Sequence, residues 1–385
     1  MTLPLTILKP ENAGAVLADA FVTLDAAMPG PADQPPALLL AVPPAWNNRY
    51  QALLYGQGAP HRYAVLGIST LEMLDKISWP GPIVLHAHWF AGMFGNCATE
   101  SDAEAQVGRI TARLSDFRAR TGARLVWTAH NVFPHGNRFA QAFLLLRQWL
   151  FDNLDAVHVM QDEHIAVLER EFGRPAPRHF TVPHMLYQGS QPDCITPEAA
   201  RLHYGLAPDS FVFGYFGSIH PYKQLDSFLS AFDRVAADSP RPLAALVGGV
   251  PSDPATVQML EQRWGDDRRV RLQMRTIPDH EIQYMHRAAD IMVLPYGETL
   301  NSGAAYMAAS FERPIIMPDG LASRVLAGLG VTIFDSADSG ALESALRRAV
   351  GGERGTDDPQ IRARFAPIAV SNSFFEALDG LVGRK

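Results

Sequence analysis

From about residue 37 to the end, short apolar runs alternate with longer amphipathic stretches, which predicts parallel sheets with crossover helices. In the first half the strand candidates are ALLLAV (37–42), PIVLHA (82–87), RLVWTA (124–129) and AVHVM (156–160), with helical stretches notably at 100–120 and 138–153. The second half repeats the alternation with FVFGYF (211–216), LAALVG (243–248), VRLQM (270–274), IMVLP (291–295), PIIMP (314–318) and VTIF (331–334). Unbroken apolar runs of this kind suit strands covered on both faces. Pro183 to Pro197 carries prolines, a glycine and polar residues and reads as a linker; a helix start at Thr196-Pro197-Glu198 follows it. Residues 1–36, rich in Ala and Pro, fit no repeat of the scheme and read as an extension outside it. The expectation is an α/β protein of two doubly wound, Rossmann-like domains facing a central cleft, residues 37–185 and 186–358.

Size and charge narrow the classes. A chain of 385 residues exceeds one ordinary core, in keeping with two domains. No uncharged apolar run reaches spanning length and the N-terminus lacks a basic-then-apolar leader, so a cytoplasmic protein is expected. Cys97 and Cys194 lack metal-type spacing and read as reduced thiols. A net charge of −7 argues against nucleic acid as a partner.

In open parallel sheets ligands bind beyond the carboxyl ends of strands, so the polar residues just after each run carry the information. After Phe216 come Gly217 and Ser218, which admit a ligand close to the backbone, and then Lys223 where a helix begins, a charge suited to phosphate. After Pro295, Asn301-Ser302-Gly303 open a helix of small residues, with Ser302 as its N-cap. Two anion-friendly helix starts in one domain point to a diphosphate. In the first domain HAHWF (86–90) and TAHNVFPHG (128–136) place His88, His130 and His135 at strand ends, as bases or hydrogen-bond partners. The spacing offers no metal site. Dinucleotide, P-loop and nucleophile-elbow motifs are absent.

In this order the motifs HAHWF, TAHNVFPHG, GSIHPYK and VLPYGETLNSGAAYMAASFERPIIMP resemble bacterial GT-B glycosyltransferases near glycosyltransferase family 4, and within them exopolysaccharide mannosyltransferases of the xanthan type. The resemblance implies sugar transfer from a GDP- or UDP-sugar, with no further cofactor or metal. The phosphates would lie near Gly217, Ser218, Lys223, Ser302 and Gly303, with Glu298 and Asn301 beside the donor. It implies a saccharide or polyprenyl-linked saccharide acceptor on the first domain, handled by His130, with His88 and His135 behind it. A C-terminal helix (359–385) would cross back onto the first domain. Two departures stand out: Ser218 replaces the family's usual Arg, and Thr299 and Met307 occupy the positions of its glutamate pair. The xanthan-type enzymes share the second loss and invert the anomeric centre, so inversion is the expected outcome. A nucleotide-sugar epimerase or phosphorylase of the same architecture, and a silent sugar-nucleotide-binding subunit, remain open. Arg109, Arg113, Arg118, Arg120 and Arg124, with the apolar segment 138–151, fit either contact with the inner face of a membrane or a solvated basic face over a buried helix.

Overall fold

A computed structural model describes residues 5–31, 34–45, 48–134, 138–296 and 299–384. The chain divides into two units, one holding residues up to Met185 together with those from Pro367 onward, the other Leu186–Ala366.

The first unit is built on seven strands, β1 (Thr6–Leu8), β2 (Ala37–Val42), β3 (Tyr63–Ile68), β4 (Ile83–Ala87), β5 (Arg124–Thr128), β6 (Ala156–Val159) and β7 (His179–Thr181). They pair in parallel in the order β1-β3-β2-β4-β5-β6-β7. All six residues of β2 are fully buried, as a strand covered on both faces requires. The largest helix, Glu100–Thr121, starts in a capping box: Thr99 Oγ1 accepts from the Asp102 amide at 3.1 Å, and the Asp102 carboxylate accepts from the Thr99 amide at 3.0 Å. Its buried stripe, Ala103, Val107, Ile110, Leu114 and Phe117, keeps helical period, and it ends at Gly122 in the left-handed region, φ 69°.

The arginines around this helix hold the unit together. Arg118 and Arg124 both pair with Asp155 at 3.0 Å, Arg113 pairs with Asp75 at 3.0 Å, and Arg120 donates to the Leu74 and Ile77 carbonyls. The neighbouring helix Ala140–Asn153 buries Phe143, Leu146, Leu150 and Phe151 against the unit, so these residues are spent on the core. Among the described residues no helix is long and apolar enough to cross a membrane.

Three strands, β1, β3 and β7, have no counterpart in the sequence expectation. The described part of residues 1–36 is no separate extension: β1 pairs with β3, and the helix Ala13–Ala27 buries Ala13, Leu17 and Leu24. A three-residue strand is too short to show a period, and its position at the sheet edge is decided by a distant partner. The C-terminal boundary also moves. A helix Pro359–Arg364 stays with the second unit, and the helix that belongs to the first unit is Pro367–Val382. Pro367 explains the break, because the residue before a proline is pushed out of helical geometry. This last helix buries Phe374 and Phe375, and its Ser371 hydroxyl donates to the Leu54 carbonyl at 2.7 Å.

The second unit has six parallel strands, β8 (Phe211–Phe216), β9 (Leu243–Gly248), β10 (Val270–Gln273), β11 (Ile291–Val293), β12 (Ile315–Pro318) and β13 (Val331–Phe334). Their order is β10-β9-β8-β11-β12-β13. The chain first winds outward from β8 to β10, then returns to place β11 beside β8. That reversal makes the carboxyl ends of β8 and β11 the topological switch point, where open α/β sheets bind ligands.

Candidate functional site

The loop after β8 is held by backbone packing. Gly249, at φ 145°, lies so close that a Cβ there would stand 1.6 Å from the Gly217 carbonyl oxygen. Only glycine fits. The Tyr215 hydroxyl donates to the Ser218 carbonyl at 2.8 Å, and the Ile219 amide donates to Val250 at 2.7 Å. A short turn, Pro221–Lys223, and Gln224 in the left-handed region (φ 52°) then lead into the helix Leu225–Asp238, whose first turn has no side-chain cap. Lys223 therefore sits just ahead of amides that no cap covers, as expected for an anion site.

Its ammonium lies 3.4 Å from the ring centroid of Tyr296 and 4.7 Å from that of Tyr222. Burial lowers its pKa to about 8. Aromatic faces offset part of that desolvation but supply no counter-charge.

The loop after β11 completes the picture. Ser302 is buried and caps the helix Gly303–Ser310, accepting from the Ala305 amide at 3.2 Å. Its hydroxyl also shares a hydrogen bond with the Tyr296 hydroxyl. Tyr296 thus joins the two loops, its ring under Lys223 and its hydroxyl on Ser302. Among the described residues, both polar side-chain atoms of Asn301 are buried without a hydrogen-bond partner, a state that costs about 1–3 kcal/mol for a polar group. Ala305, Ala308 and Ala309 are fully buried, which lets this helix lie close to the sheet. Gly217, Ser218 and Lys223 follow β8, while Asn301, Ser302 and Gly303 follow β11, and these strands pair directly (Ile291 with Phe213, Met292 with Gly214). Glu298 lies outside the described residues.

In the first unit the carboxyl ends of β4, β5 and β6 carry a connected set of imidazoles. The Tyr55 hydroxyl lies 2.8 Å from His86 Nδ1 and 2.6 Å from His88 Nε2. His86 Nε2 is 2.6 Å from the Thr128 hydroxyl, which is 2.9 Å from His158 Nδ1; His158 Nε2 donates to the Val182 carbonyl at 2.9 Å. At the other end His88 Nδ1 and His130 Nε2 are 2.9 Å apart. His130 stacks on Trp89 (centroids 4.1 Å apart) and meets the Tyr50 ring edge-on at 4.9 Å. Phe374 of the C-terminal helix covers His86. Burial holds His86, His88 and His130 well below the ordinary histidine range, and lowers His158 to about 4. The rings are neutral.

This changes the roles expected of the histidines. His88 is buried with both ring nitrogens engaged inside the unit, so it has no atom left for a substrate. His130 is only partly buried and, among the described residues, hydrogen-bonds through one nitrogen. His135 lies outside the described residues. Tyr55, Thr128, His158 and Tyr296 are the residues that sequence reasoning missed; the i, i+2 spacing of His86 and His88, which puts both on one face of β4, was the signal available for the imidazole set. Beyond β3 and β4 the unit also carries a groove of about 910 Å³, lined among others by Glu72, Asp75, Asn96, Gln106, Arg109 and Arg113.

Residues 210–351 match the family model described as glycosyl transferases group 1. Over 244 residues the chain is 26% identical to a GDP-mannose:glycolipid 4-beta-D-mannosyltransferase of Xanthomonas campestris pv. campestris. It spans 61% of that relative's length, and the alignment covers 61% of this chain. Among solved structures it is similar to Anabaena HepE in complex with UDP-glucose, with TM-score 0.65 and 14% identity, covering 89% of this chain and 99% of that one. It is also similar to sucrose-phosphate synthase from Thermosynechococcus elongatus, with TM-score 0.59 and 15% identity, covering 90% and 96%. The chain therefore has the GT-B fold, and its residues 210–351 are similar to the glycosyl transferases group 1.

Proposed function

We propose that this chain moves a hexose from a nucleoside-diphosphate sugar, GDP-mannose foremost, to a saccharide carried on a lipid. The observation that carries the reading is Tyr296, which ties the Lys223 ammonium and the Ser302 cap into one cradle at the switch point. A diphosphate there gains the charge of Lys223 and the amides opening the helices Leu225–Asp238 and Gly303–Ser310. As the sugar leaves, the same groups meet the charge that builds on the departing diphosphate, so no metal ion is called for. The unpaired amide of Asn301 is a candidate partner for donor oxygens.

The reaction is a single displacement. The acceptor hydroxyl oxygen bonds to C1 of the donor sugar, and the C1–O bond to the diphosphate breaks with its electron pair going to the nucleoside diphosphate. The proton passes to His130. Inversion at C1 follows from one displacement, and it is supported by Met307, an apolar buried residue where the family's second glutamate would stand. The groove lined by Glu72, Asp75, Asn96 and Gln106 offers acceptors and donors to a hydroxyl-rich acceptor. A lipid-borne acceptor sets the work at the cytoplasmic face of a membrane, in surface or exopolysaccharide synthesis.

The test is incubation with radiolabelled GDP-mannose and an extracted bacterial glycolipid fraction, with UDP-glucose as the alternative donor. Label in the lipid phase, with β-linked mannose in the product, is expected. Donor turnover independent of acceptor would replace the reading with an epimerase or hydrolase. Donor binding without turnover on any acceptor would replace it with a silent binding subunit.

A further inference from the structure

The hydrogen bonds of the first unit have a direction, and it starts at a backbone carbonyl. Val182 O can only accept, so His158 Nε2 carries the hydrogen. A neutral imidazole has one N–H, which leaves His158 Nδ1 as an acceptor, and the Thr128 hydroxyl must donate to it. The Thr128 oxygen then accepts from His86 Nε2–H, and His86 Nδ1 accepts from the Tyr55 hydroxyl. With its hydrogen so committed, the Tyr55 oxygen accepts from His88 Nε2–H. His88 Nδ1 in turn accepts from His130 Nε2–H. Six links run one way, and each is fixed by the one before.

We propose that this chain, anchored at the Val182 carbonyl, holds His130 in the Nε2–H tautomer and so presents its Nδ1 lone pair to the acceptor hydroxyl. None of the hydrogen bonds among the described residues engages that nitrogen. His158, Thr128, His86, Tyr55 and His88 act as positioning residues. The inference rests on the reading of His130 as proton acceptor given above. In the reaction the acceptor's proton goes to His130 Nδ1, the ring becomes an imidazolium, and its Nε2–H stays on His88 Nδ1. The burial that keeps the four rings neutral is what makes the direction unambiguous.

Breaking the chain at Thr128 frees the inner segment to reverse. His86 then donates through Nδ1 to Tyr55, Tyr55 donates to His88 Nε2, and His88 donates through Nδ1 to His130 Nε2. The hydrogen of His130 moves to Nδ1 and the lone pair turned toward the acceptor is lost.

Two measurements on the full chain separate this proposal from the proposed function. Long-range proton–nitrogen spectra of histidine-labelled protein at neutral pH should show His86, His88, His130 and His158 all as Nε2–H tautomers, and an Nδ1–H form of any one would overturn the chain. In Thr128→Val the His130 signal should acquire an Nδ1–H population. Transfer from GDP-mannose should fall at least ~10-fold in kcat, a part of the ~10²–10⁴-fold that general-base catalysis contributes, with KM for GDP-mannose unchanged. Thr128→Ser should restore turnover, and Tyr55→Phe, which cuts the middle link, should repeat the kcat loss. A Thr128→Val enzyme as active as the native one, or a serine variant as impaired as the valine, would refute the proposal. If the native chain transfers nothing while the tautomers are as stated, the chain of bonds stands and the transferase reading falls.

Discussion

Lys223 offers the sharpest quantitative test of the diphosphate cradle. With no ligand its ammonium faces two tyrosine rings and is pushed down to about 8 by burial. A bound diphosphate supplies two negative charges and holds the lysine protonated. Above pH 8 binding must therefore take up a proton, and affinity falls as the free site discharges. Between pH 7 and pH 9 a site with that pKa loses about tenfold in affinity, or about 1.4 kcal/mol, and at pH 8 it takes up about half a proton per ligand. Tyr222 and Tyr296 do not blur the window, because burial raises both above the ordinary tyrosine value. The assay is isothermal titration with GDP-mannose, run in two buffers of different ionisation enthalpy so that proton uptake is read directly. Lys223→Met keeps the stem and removes the charge. It should weaken binding at pH 7 by about 1.5–3 kcal/mol, roughly 10- to 150-fold, and flatten the pH dependence. Affinity that is level from pH 7 to 9 in the native chain, or a methionine variant within threefold of it, would refute the cradle.

Other perturbations probe the scaffold around the two clusters. Gly249→Ala forces a methyl against the Gly217 carbonyl and should destabilise the second unit by about 1–3 kcal/mol or more, seen as a lower urea midpoint in the fluorescence of Trp264, the one tryptophan of that unit. Ser302→Ala removes the cap of the helix Gly303–Ser310 and the partner of Tyr296; a loss of about 1 kcal/mol in the same transition is expected, with weaker GDP-mannose binding. Burial lowers His158 and His184 to about 4, whereas in the unfolded chain they titrate near 6.5. Protons therefore favour the unfolded state, and the stability of the first unit is lost as pH falls below about 6.5. At pH 5 each should cost about 2 kcal/mol, checked by urea midpoints at pH 7.5 and pH 5.0.

The two halves of the candidate site differ in how far they can be read from residue order. The cap at Ser302, the helix start after Thr196 and the polar turn after Phe216 depend on neighbours a few residues apart, and each stands where the pattern places it. Tyr296 lay within a quoted motif, yet its service to Lys223 depends on β11 returning beside β8. The resemblance puts His130 ahead of His88 but gives no physical reason for that order. Burial and pairing make one an internal link and leave the other a nitrogen to offer.

What residue order by itself determined was local: buried apolar runs become parallel strands, small polar residues cap helices, and glycines and a lysine gather where strands end. These signals act over a few residues, through steric preference and the need to pair backbone groups. Only the tertiary structure decided that β1 completes the first unit, that the helix returning to it starts at Pro367, that Tyr296 spans two loops, and that residues 55, 86, 88, 128, 130, 158 and 182 form one line of hydrogen bonds. Those contacts join positions far apart along the chain. Their donors and acceptors are matched only once the order of strands brings them within about 3 Å.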